Sequence, residues 1–294
     1  MPEINAYTRY FEKKGINTGM IKPKELTKFG ADIEWHFMGT DLTPKKKGVI
    51  KIHEYTSASV PPFSKLKNRM KKIFVVKPDY RLFLNEYVEE SLSFADKVPR
   101  GFRDMGILEI ENGSRTKQEK YDFIYIGNMS GHRNISRLLE CFASGNMKER
   151  SILLLGKDYE SISGKFQHHK NIHFKGPVPY EQVPVYLATA KFGINFIPDV
   201  APFNQQTSTK LLEYAAVLLP IITTKYSWVR AFEKNYGGNF FYLDNKLSNF
   251  TWEAINEFQY GFPQLESFAW DRQISNSGIW EFLQDRFPEL KVES

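Results

Sequence analysis

Residues able to act together on a ligand gather in Pro198-Asp-Val-Ala-Pro-Phe-Asn-Gln-Gln-Thr-Ser-Thr-Lys210-Leu-Leu-Glu213-Tyr. Thr207 and Ser208 are good helix N-caps. The amide groups of the turn that follows, at Thr209 onward, form an anion site with the helix dipole behind them. Lys210 falls in that first turn, where its charge meets the positive dipole end, and a bound anion would reverse that penalty. Glu213 comes one turn later on the same face, where a carboxylate can accept hydrogen bonds from a diol. The plainer alternative is an i,i+3 salt bridge between the two, worth only ~0.2–0.5 kcal/mol.

A second basic position lies in Ile124-Tyr-Ile-Gly127-Asn128-Met-Ser-Gly-His-Arg133-Asn, which reads as a strand, a glycine-containing loop and a helix start. Arg133 stands there where phosphate oxygens can be gripped. Lys51-Ile-His53-Glu-Tyr-Thr-Ser57 reads as a strand ending in histidine and followed by a polar turn, a setting in which a lone histidine is more often structural. Other chemistries lack their motifs. Gly127-Asn-Met-Ser-Gly131 is the nearest approach to a dinucleotide fingerprint, and neither a nucleotide-triphosphate phosphate loop nor a Gly-x-Ser-x-Gly elbow occurs. The six histidines include no His-Glu-x-x-His. His168-His169 lies in a polar loop, and Asp158-Tyr-Glu160 is as well read as a solvated pair, so no metal is expected.

These side chains need elements to position them. From residue 120 onward, strands are predicted at Asp122–Gly127, Ile152–Gly156, Asn171–Gly176, Phe192–Ile197, Pro220–Thr224 and Asn239–Leu243, with helices such as Asn134–Ser144, Tyr180–Ala190 and Thr209–Leu218 between them. Repeated βα units build a doubly wound parallel sheet whose ligands sit at the carboxyl ends of the strands, where Arg133 and Lys210 both fall. The N-terminal part repeats the pattern in shorter form. Its strands are expected near Ala31–Phe37, Val49–His53 and Tyr80–Leu84, and its helices near Glu3–Lys14, Ser64–Phe74 and Glu86–Phe94. Between the two parts, the polar Asp104–Lys120 stretch holds the turn signal Asn112-Gly113-Ser114 and reads as a linker. The expected organisation is therefore a domain at 1–104, a linker at 105–120, a second domain at 121–264 and a C-terminal helical segment at 265–294. That last segment, with an aromatic-rich helix over Phe268–Phe287, can pack back on the N-terminal domain.

Composition bounds the remaining classes. The chain has 294 residues, of which 41% are apolar, enough for one or two substantial cores. Cys141 is the only cysteine, which excludes an internal disulfide framework and fits a reducing cytoplasm. The most apolar stretch, Leu211–Thr223, is short for a membrane span, and the N-terminus lacks the apolar core of a signal peptide. The net charge of +6 arises wholly in residues 1–110, which hold 20 basic against 14 acidic side chains. Residues 41–78 alone carry ten basic residues against Asp41 and Glu54. Such a patch is either a solvated surface or the footprint of an anionic partner, a membrane surface or a nucleic-acid backbone.

The C-terminal half resembles the GT-B-fold glycosyltransferases, in particular the retaining group that includes phosphatidylinositol mannosyltransferases and bacterial surface-polysaccharide enzymes. The likeness rests on the strand-glycine loop at Gly127, then Asn171-Ile-His-Phe-Lys-Gly176, Tyr180–Ala190 and Thr207–Tyr214, in that order and spacing. It implies two Rossmann-like doubly wound α/β domains, the N-terminal one shortened and on the acceptor side. It also implies transfer of a sugar from a nucleoside diphosphate sugar to a glycan or lipid-linked acceptor, without metal or cofactor. In that frame Arg133, Lys210 and the amides at Thr207, Ser208 and Thr209 stabilise the leaving diphosphate, and Gly127 and Asn128 border it. Glu213 holds the ribose, Asn204 and Gln205 touch the donor sugar, and Val178 and Tyr180 belong to the turn facing the base. His53 closes the site from the smaller domain. The basic segment 41–78 then docks on an anionic membrane, with the protein cytoplasmic or peripheral on the inner face of the plasma membrane and no nucleic acid as partner.

Three positions depart from the group's pattern. Gln205 stands where a glutamate is common, Asn128 where an arginine is common, and the usual first strand and glycine-rich loop are absent ahead of Glu3–Lys14. These departures keep a second expectation open, a nucleotide-sugar-binding partner subunit without turnover. A nucleic-acid binder rests on the lysines alone.

Overall fold

The computed structural model describes residues 2–22, 25, 30–37, 40–59, 62–107 and 119–291. The chain divides into two compact units, Met1–Gly106 with Phe268–Ser294, and Ile107–Ser267. Most of the expected linker, 108–118, lies outside the described residues.

The first unit runs through helix α1 (Pro2–Glu12), strands β1 (Ile33–Phe37) and β2 (Ile50–Tyr55), helix α2 (Ser64–Phe74), strand β3 (Tyr80–Phe83), helix α3 (Glu86–Leu92) and strand β4 (Arg100–Phe102). The strands are parallel in the order β1-β2-β3-β4, so each crossover adds to the same edge and the sheet has no reversal. It is a shortened Rossmann-like sheet. Strand β2 is buried along nearly its whole length, as a central parallel strand should be, yet it carries Lys51, His53 and Glu54. Each has partners. The Lys51 ammonium donates to Asp41 Oδ2 and to the Thr43 carbonyl, both at 2.8 Å. Glu54 pairs with Arg103 and accepts from Trp35 Nε1 at 2.8 Å. Burying these ions without such partners would cost several kcal/mol each, on the order quoted for uncompensated buried charges.

This burial corrects the picture of a uniform basic patch over 41–78. Lys51 is fully buried, and Lys45 and Lys46 pair with Asp79 and Glu34. The exposed cations of the segment gather mainly on α2.

The second unit contains β5 (Tyr121–Ile126), α4 (Ile135–Ala143), β6 (Ile152–Leu155), α5 (Glu160–Phe166), β7 (Ile172–Gly176), α6 (Val183–Leu187), β8 (Ala190–Asn195) and α7 (Thr209–Ala216). It continues with β9 (Ile221–Thr224), α8 (Ser227–Tyr236), β10 (Gly237–Asn239), β11 (Phe241–Leu243), α9 (Trp252–Glu257) and β12 (Gly261–Pro263). Its main sheet is parallel in the order β11-β9-β8-β5-β6-β7. The chain starts in the middle, fills one side and then reverses to fill the other, which is the doubly wound order with its switch point between β5 and β8.

Some predicted elements break where local chemistry requires. The helix expected over Tyr180–Ala190 is a 3-10 turn at Tyr180–Gln182 followed by the short α6, because Pro184 lacks the amide of a helix interior and fits only a first turn. The strand expected over Asn239–Leu243 is interrupted at Phe240: Asn239 ends β10, which opens with Gly237 and Gly238 in left-handed backbone, and Phe241–Leu243 form β11. The single helix expected over Phe268–Phe287 is a pair, α10 (Trp270–Ser275) and α11 (Ile279–Arg286), parted by Gly278 at φ 72°. Both belong to the first unit, where Ser277 O accepts from the Tyr80 hydroxyl at 2.9 Å and Gln273 accepts from the Asp104 amide at 3.0 Å.

At the switch point β5 and β8 stay in register only as far as Ile124 and Gly193. Past that point the strands part and would leave buried backbone groups unsatisfied. The buried Tyr214 of α7 fills the gap: its hydroxyl accepts from Ile126 N at 3.0 Å and donates towards Ile194 O at 3.3 Å. Gly193 leaves room for the ring, since a Cβ there would stand 2.7 Å from it. Tyr214→Phe is expected to lower stability by about 1–3 kcal/mol through the orphaned amide and carbonyl. Gly193→Ala should destabilise to a similar extent by overpacking, ~1–3 kcal/mol. Thermal denaturation followed by circular dichroism checks both, and an unshifted melt in either variant contradicts this account of the gap.

Candidate functional site

The loop after β5 begins at Gly127, whose φ of 122° is left-handed. Gly156, after β6, lies so close that a Cβ on it would strike the Gly127 carbonyl at 1.7 Å. Two glycines thus let neighbouring loops pass within backbone contact. Asn128 follows and is exposed. Its side chain accepts from Ser130 N at 2.7 Å and donates to Asp158, and so is engaged in shaping the loop. A 3-10 turn at Gly131–Arg133 then presents Arg133.

Helix α7 supplies the second cation. Its N-cap, Ser208, is buried, donates to Asn195 Oδ1 at 2.8 Å and accepts from Leu211 N at 3.4 Å. Asn195 in turn donates to Thr223 Oγ1 and the Tyr226 hydroxyl. The Ser208 hydroxyl is therefore engaged in positioning α7, and the group expected to meet a ligand there is the backbone amide. Thr209 opens the helix, and Lys210 stands in its first turn. The Lys210 ammonium lies 4.0 Å above the Tyr125 ring centroid, and a Cβ on Gly127 would come within 3.4 Å of it.

The two cations share one environment. Burial, foremost, and the Arg133 charge push the Lys210 ammonium well below its ordinary pKa, with Glu213 pulling the other way. Among the described residues, no carboxylate lies within ion-pair distance of either Arg133 or Lys210. The plain i,i+3 salt bridge to Glu213 does not form. Arg133 stacks over Phe203 with its Cζ 4.4 Å from the ring centroid, and its Nη1 is buried without a hydrogen-bond partner. In the loop that carries Phe203, Asn204 Oδ1, Gln206 Nε2 and Thr207 Oγ1 are buried in the same condition. Asn204 otherwise donates to Asp199 Oδ1 at 2.9 Å. Gln205 is half-buried in the same loop.

Glu213 sits one turn along α7 beside a small apolar pocket that includes Val183, Leu187 and Val217. Burial raises its carboxyl to a pKa of about 8, against the opposing pull of Lys210 and of the Tyr180 hydroxyl that donates to it. Tyr180 thus orients Glu213. Val178 is half-buried in the loop between β7 and the Tyr180 turn.

His53 belongs to the first unit and differs from its expectation. Strand β2 does not end at it but continues to Tyr55, and the ring is fully buried. Its Nε2 lies 3.0 Å from Asp41 Oδ2 and its Nδ1 3.4 Å from the Tyr55 hydroxyl. Burial lowers its pKa to about 4 despite Asp41. Burial also opposes ionisation of Asp41, but hydrogen bonds from Lys51 and Thr43 hold that carboxyl below its usual range. A neutral, enclosed imidazole has no edge to offer a sugar, so His53 is a core residue.

The geometry therefore brings Gly127, Arg133, Lys210, Glu213 and Tyr180 together at the carboxyl ends of the strands by the switch point, beside the loop of Asn204, Gln205 and Thr207. Tyr125, Asn195, Phe203 and Tyr214 escaped the sequence reading. The alternation that marks Tyr125 and Asn195 as strand residues says nothing of their support role. Chemically the site offers two unneutralised cations, helix N-terminal amides and one carboxyl a turn away. It suits a ligand with clustered negative charge at one end and hydroxyl groups beside it.

No family model matches the chain, and no curated protein matches it in sequence. Solved structures do match in fold. AviGT4, a glycosyltransferase involved in avilamycin A biosynthesis, aligns with a TM-score of 0.52 at 12% identity over 92% of this chain and 77% of that one. Anabaena Alr3699/HepE in complex with UDP and glucose aligns at 0.51 with 11% identity, over 81% of this chain and 68% of that one. A glycosyltransferase from Rickettsia africae ESF-5 aligns at 0.50 with 12% identity, covering 95% and 85%. At such identities the likeness is one of fold, an α/β architecture of two Rossmann-like domains.

The raised carboxyl of Glu213 has a consequence for stability. A pKa higher in the folded than in the unfolded chain gives stability that is full below the unfolded value and is lost as pH rises through the folded one. The window therefore runs from the ordinary glutamate range to about 8. Glu213→Gln removes this loss, so the melting temperature of the variant should gain on that of the parent as pH rises through the window. Parallel melting curves at all pH values would contradict the raised pKa.

Proposed function

We propose that this chain is a GT-B glycosyltransferase that moves a hexosyl group from a nucleoside diphosphate sugar to a glycan or lipid-linked acceptor in bacterial surface-polysaccharide synthesis. The observation that carries the reading is the pair Arg133 and Lys210, crowded, partly desolvated and unneutralised at the switch point of a doubly wound sheet. Folding alone gives no reason to gather two cations there, whereas a diphosphate gives one. In the reaction the bond from the sugar's anomeric carbon to the diphosphate oxygen breaks, its electron pair leaves with the diphosphate, and an acceptor oxygen bonds to that carbon. Charge grows on the leaving group. Fixed positive groups placed there lower the barrier more than they tighten ground-state binding.

In this reading Arg133, Lys210 and the amides at Thr207–Thr209 take the diphosphate, and Gly127 allows it close to the backbone. Glu213, held by Tyr180, takes the ribose hydroxyls. Asn204 and Gln205 reach the sugar, and the turn with Val178 faces the base. The two cations take the part of a metal, and retention of anomeric configuration comes with the resemblance. Among the described residues no three His, Cys, Asp or Glu side chains gather as a metal ligand set. No helix among them is long and apolar enough to cross a membrane. The basic segment 41–78 gives the protein an affinity for an anionic membrane surface, which suits a lipid-linked acceptor. One observation favours a second reading, a donor-binding subunit without turnover: the enclosed His53 leaves the first unit without its expected sugar-facing group.

The test is a thermal-shift screen against UDP, GDP, dTDP, ADP and CMP, with Lys210→Ala and Glu213→Ala in parallel. One nucleoside diphosphate at a hundred times its dissociation constant should add ~2.7 kcal/mol of stability. Both folded variants should lose that response. In addition, Lys210→Ala without ligand should melt no lower than the parent, because it relieves a repulsion. Transfer to glycan acceptors should then survive EDTA and give product of the donor's anomeric configuration by NMR. Absence of any nucleotide response overturns the donor site, and binding without transfer to any acceptor selects the second reading.

A further inference from the structure

Helix α3, the segment between it and β4, and residues of β3 and β4 border a cavity of about 320 Å³. Clefts of ~300–1,000 Å³ take small organic ligands. Every residue lining this one falls between Arg81 and Arg100, so it lies wholly within the first unit. Arg81 and Arg100 stand near the starts of β3 and β4, whereas the ligands of a doubly wound sheet collect at the carboxyl ends of its strands. The cavity is therefore separate from the place where such a sheet offers its active site.

The charges around it are paired, with one exception. Arg81 is buried and donates through its two terminal nitrogens to Asp96, at 2.5 and 2.8 Å. Arg100 Nε pairs with Glu89 Oε1 at 2.6 Å. Glu90 is exposed and makes no ion pair among the described residues. Two donors remain unspent. The Tyr55 hydroxyl lies beside the Arg81 guanidinium, yet the buried Nε has no hydrogen-bond partner, a condition that folding alone does not explain. Ser93 Oγ accepts from Lys72 Nζ at 2.7 Å, which leaves its hydroxyl proton to donate. Phe94 and the buried Val98 add apolar surface to the same wall.

We infer that this cavity is a second binding site, for a neutral saccharide unit of a glycan. An anion would meet the unpaired Glu90 and find both guanidinium groups already neutralised. A cation has nothing to accept from Arg81 Nε, and an apolar ligand would strip water from the carboxylates without replacing it. A sugar ring meets each requirement: its oxygens accept from Arg81 and Ser93, its hydroxyls donate to Glu90, and its C–H faces cover Phe94 and Val98. Such a site holds a glycan chain at a point other than the reacting one. It goes beyond the transferase reading and does not require it, since saccharide binding is measured without donor or transfer.

The full chain is titrated calorimetrically with glucose, maltose and N,N′-diacetylchitobiose, and with glucuronate and protonated glucosamine as charged counterparts. At least one neutral saccharide should bind saturably and more tightly than either charged sugar. Glu90→Ala should weaken that binding about tenfold, the loss of one hydrogen bond to a charged group. Phe94→Ala should weaken it as well. Each variant is checked by its circular-dichroism melt, and the exposed Glu90 carries the test if the Phe94 variant fails to fold. Lys210→Ala should bind the saccharide as the parent does, and UDP should not displace it. The inference is overturned if no neutral saccharide binds, if a charged sugar binds more tightly, or if folded Glu90→Ala binds as well as the parent. Displacement by UDP, or loss of binding in Lys210→Ala, overturns it equally by moving the saccharide to the donor site. A negative result here leaves the nucleotide screen unaffected, so the two readings fail separately.

Discussion

The parting of β5 and β8 is the constraint on which the second unit depends. A doubly wound sheet must open where its strand order reverses, and the opening exposes backbone groups that water would otherwise reach. Here a single hydroxyl, that of Tyr214, meets the Ile126 amide and the Ile194 carbonyl. Because Tyr214 rides on α7, satisfying the sheet also fixes the depth and rotation of that helix. Ser208 locks its start to Asn195, and the next turn sets Lys210 over Tyr125 and beside Gly127. The position of the lysine is thus a consequence of how the sheet closes its own gap.

The two units treat buried charge in opposite ways. In the first, Lys51 lies against Asp41, Arg103 against Glu54, and Arg81 against Asp96 in a two-pronged pair. Each cation there is structural, held by a carboxylate that would be costly to strand. In the second, Arg133 and Lys210 crowd together without such a partner, and Glu213 stays close to neutral at ordinary pH. Stability is lower for this arrangement than for a neutralised one, and sites for charged ligands commonly carry such a debit. The contrast separates cations that hold the fold together from cations that await something.

How far the sequence told this in advance follows from the range of each signal. The βα rhythm is local and repeated, so the parallel sheets and most of the strands were legible, with ends displaced by a residue or two. Arg133, Lys210 and Glu213 were legible because they follow strands or open a helix, and position along a strand is a local matter. The enclosure of His53 and the engagement of the Asn128 and Ser208 side chains went unseen for one shared reason. Each is a polar residue whose side chain is engaged by a partner distant in sequence: Asp158 for Asn128, Asn195 for Ser208 and Asp41 for His53. No local pattern announces such a partner. Tyr214 was hidden in the converse way, since one aromatic on the inward face of a helix reads as core until the divergence of two strands gives its hydroxyl a task.

Helix α2 shows the limit of periodicity most plainly. The spacing of Leu66, Met70 and Ile73 predicts a helix over Ser64–Phe74, and the helix is there. Periodicity also suggests that the apolar stripe faces the core, and here it does not. Deciding the matter is Asn68, whose amide has a carbonyl to meet at Ser91, on the side opposite the stripe. Burying the stripe would instead strand that amide and carry the neighbouring Lys67 and Arg69 towards the core, at several kcal/mol for each unpaired ion. An outward apolar face ringed by cations is therefore the lower-energy orientation for this sequence on this sheet, and it leaves the protein with a surface that water alone does not satisfy.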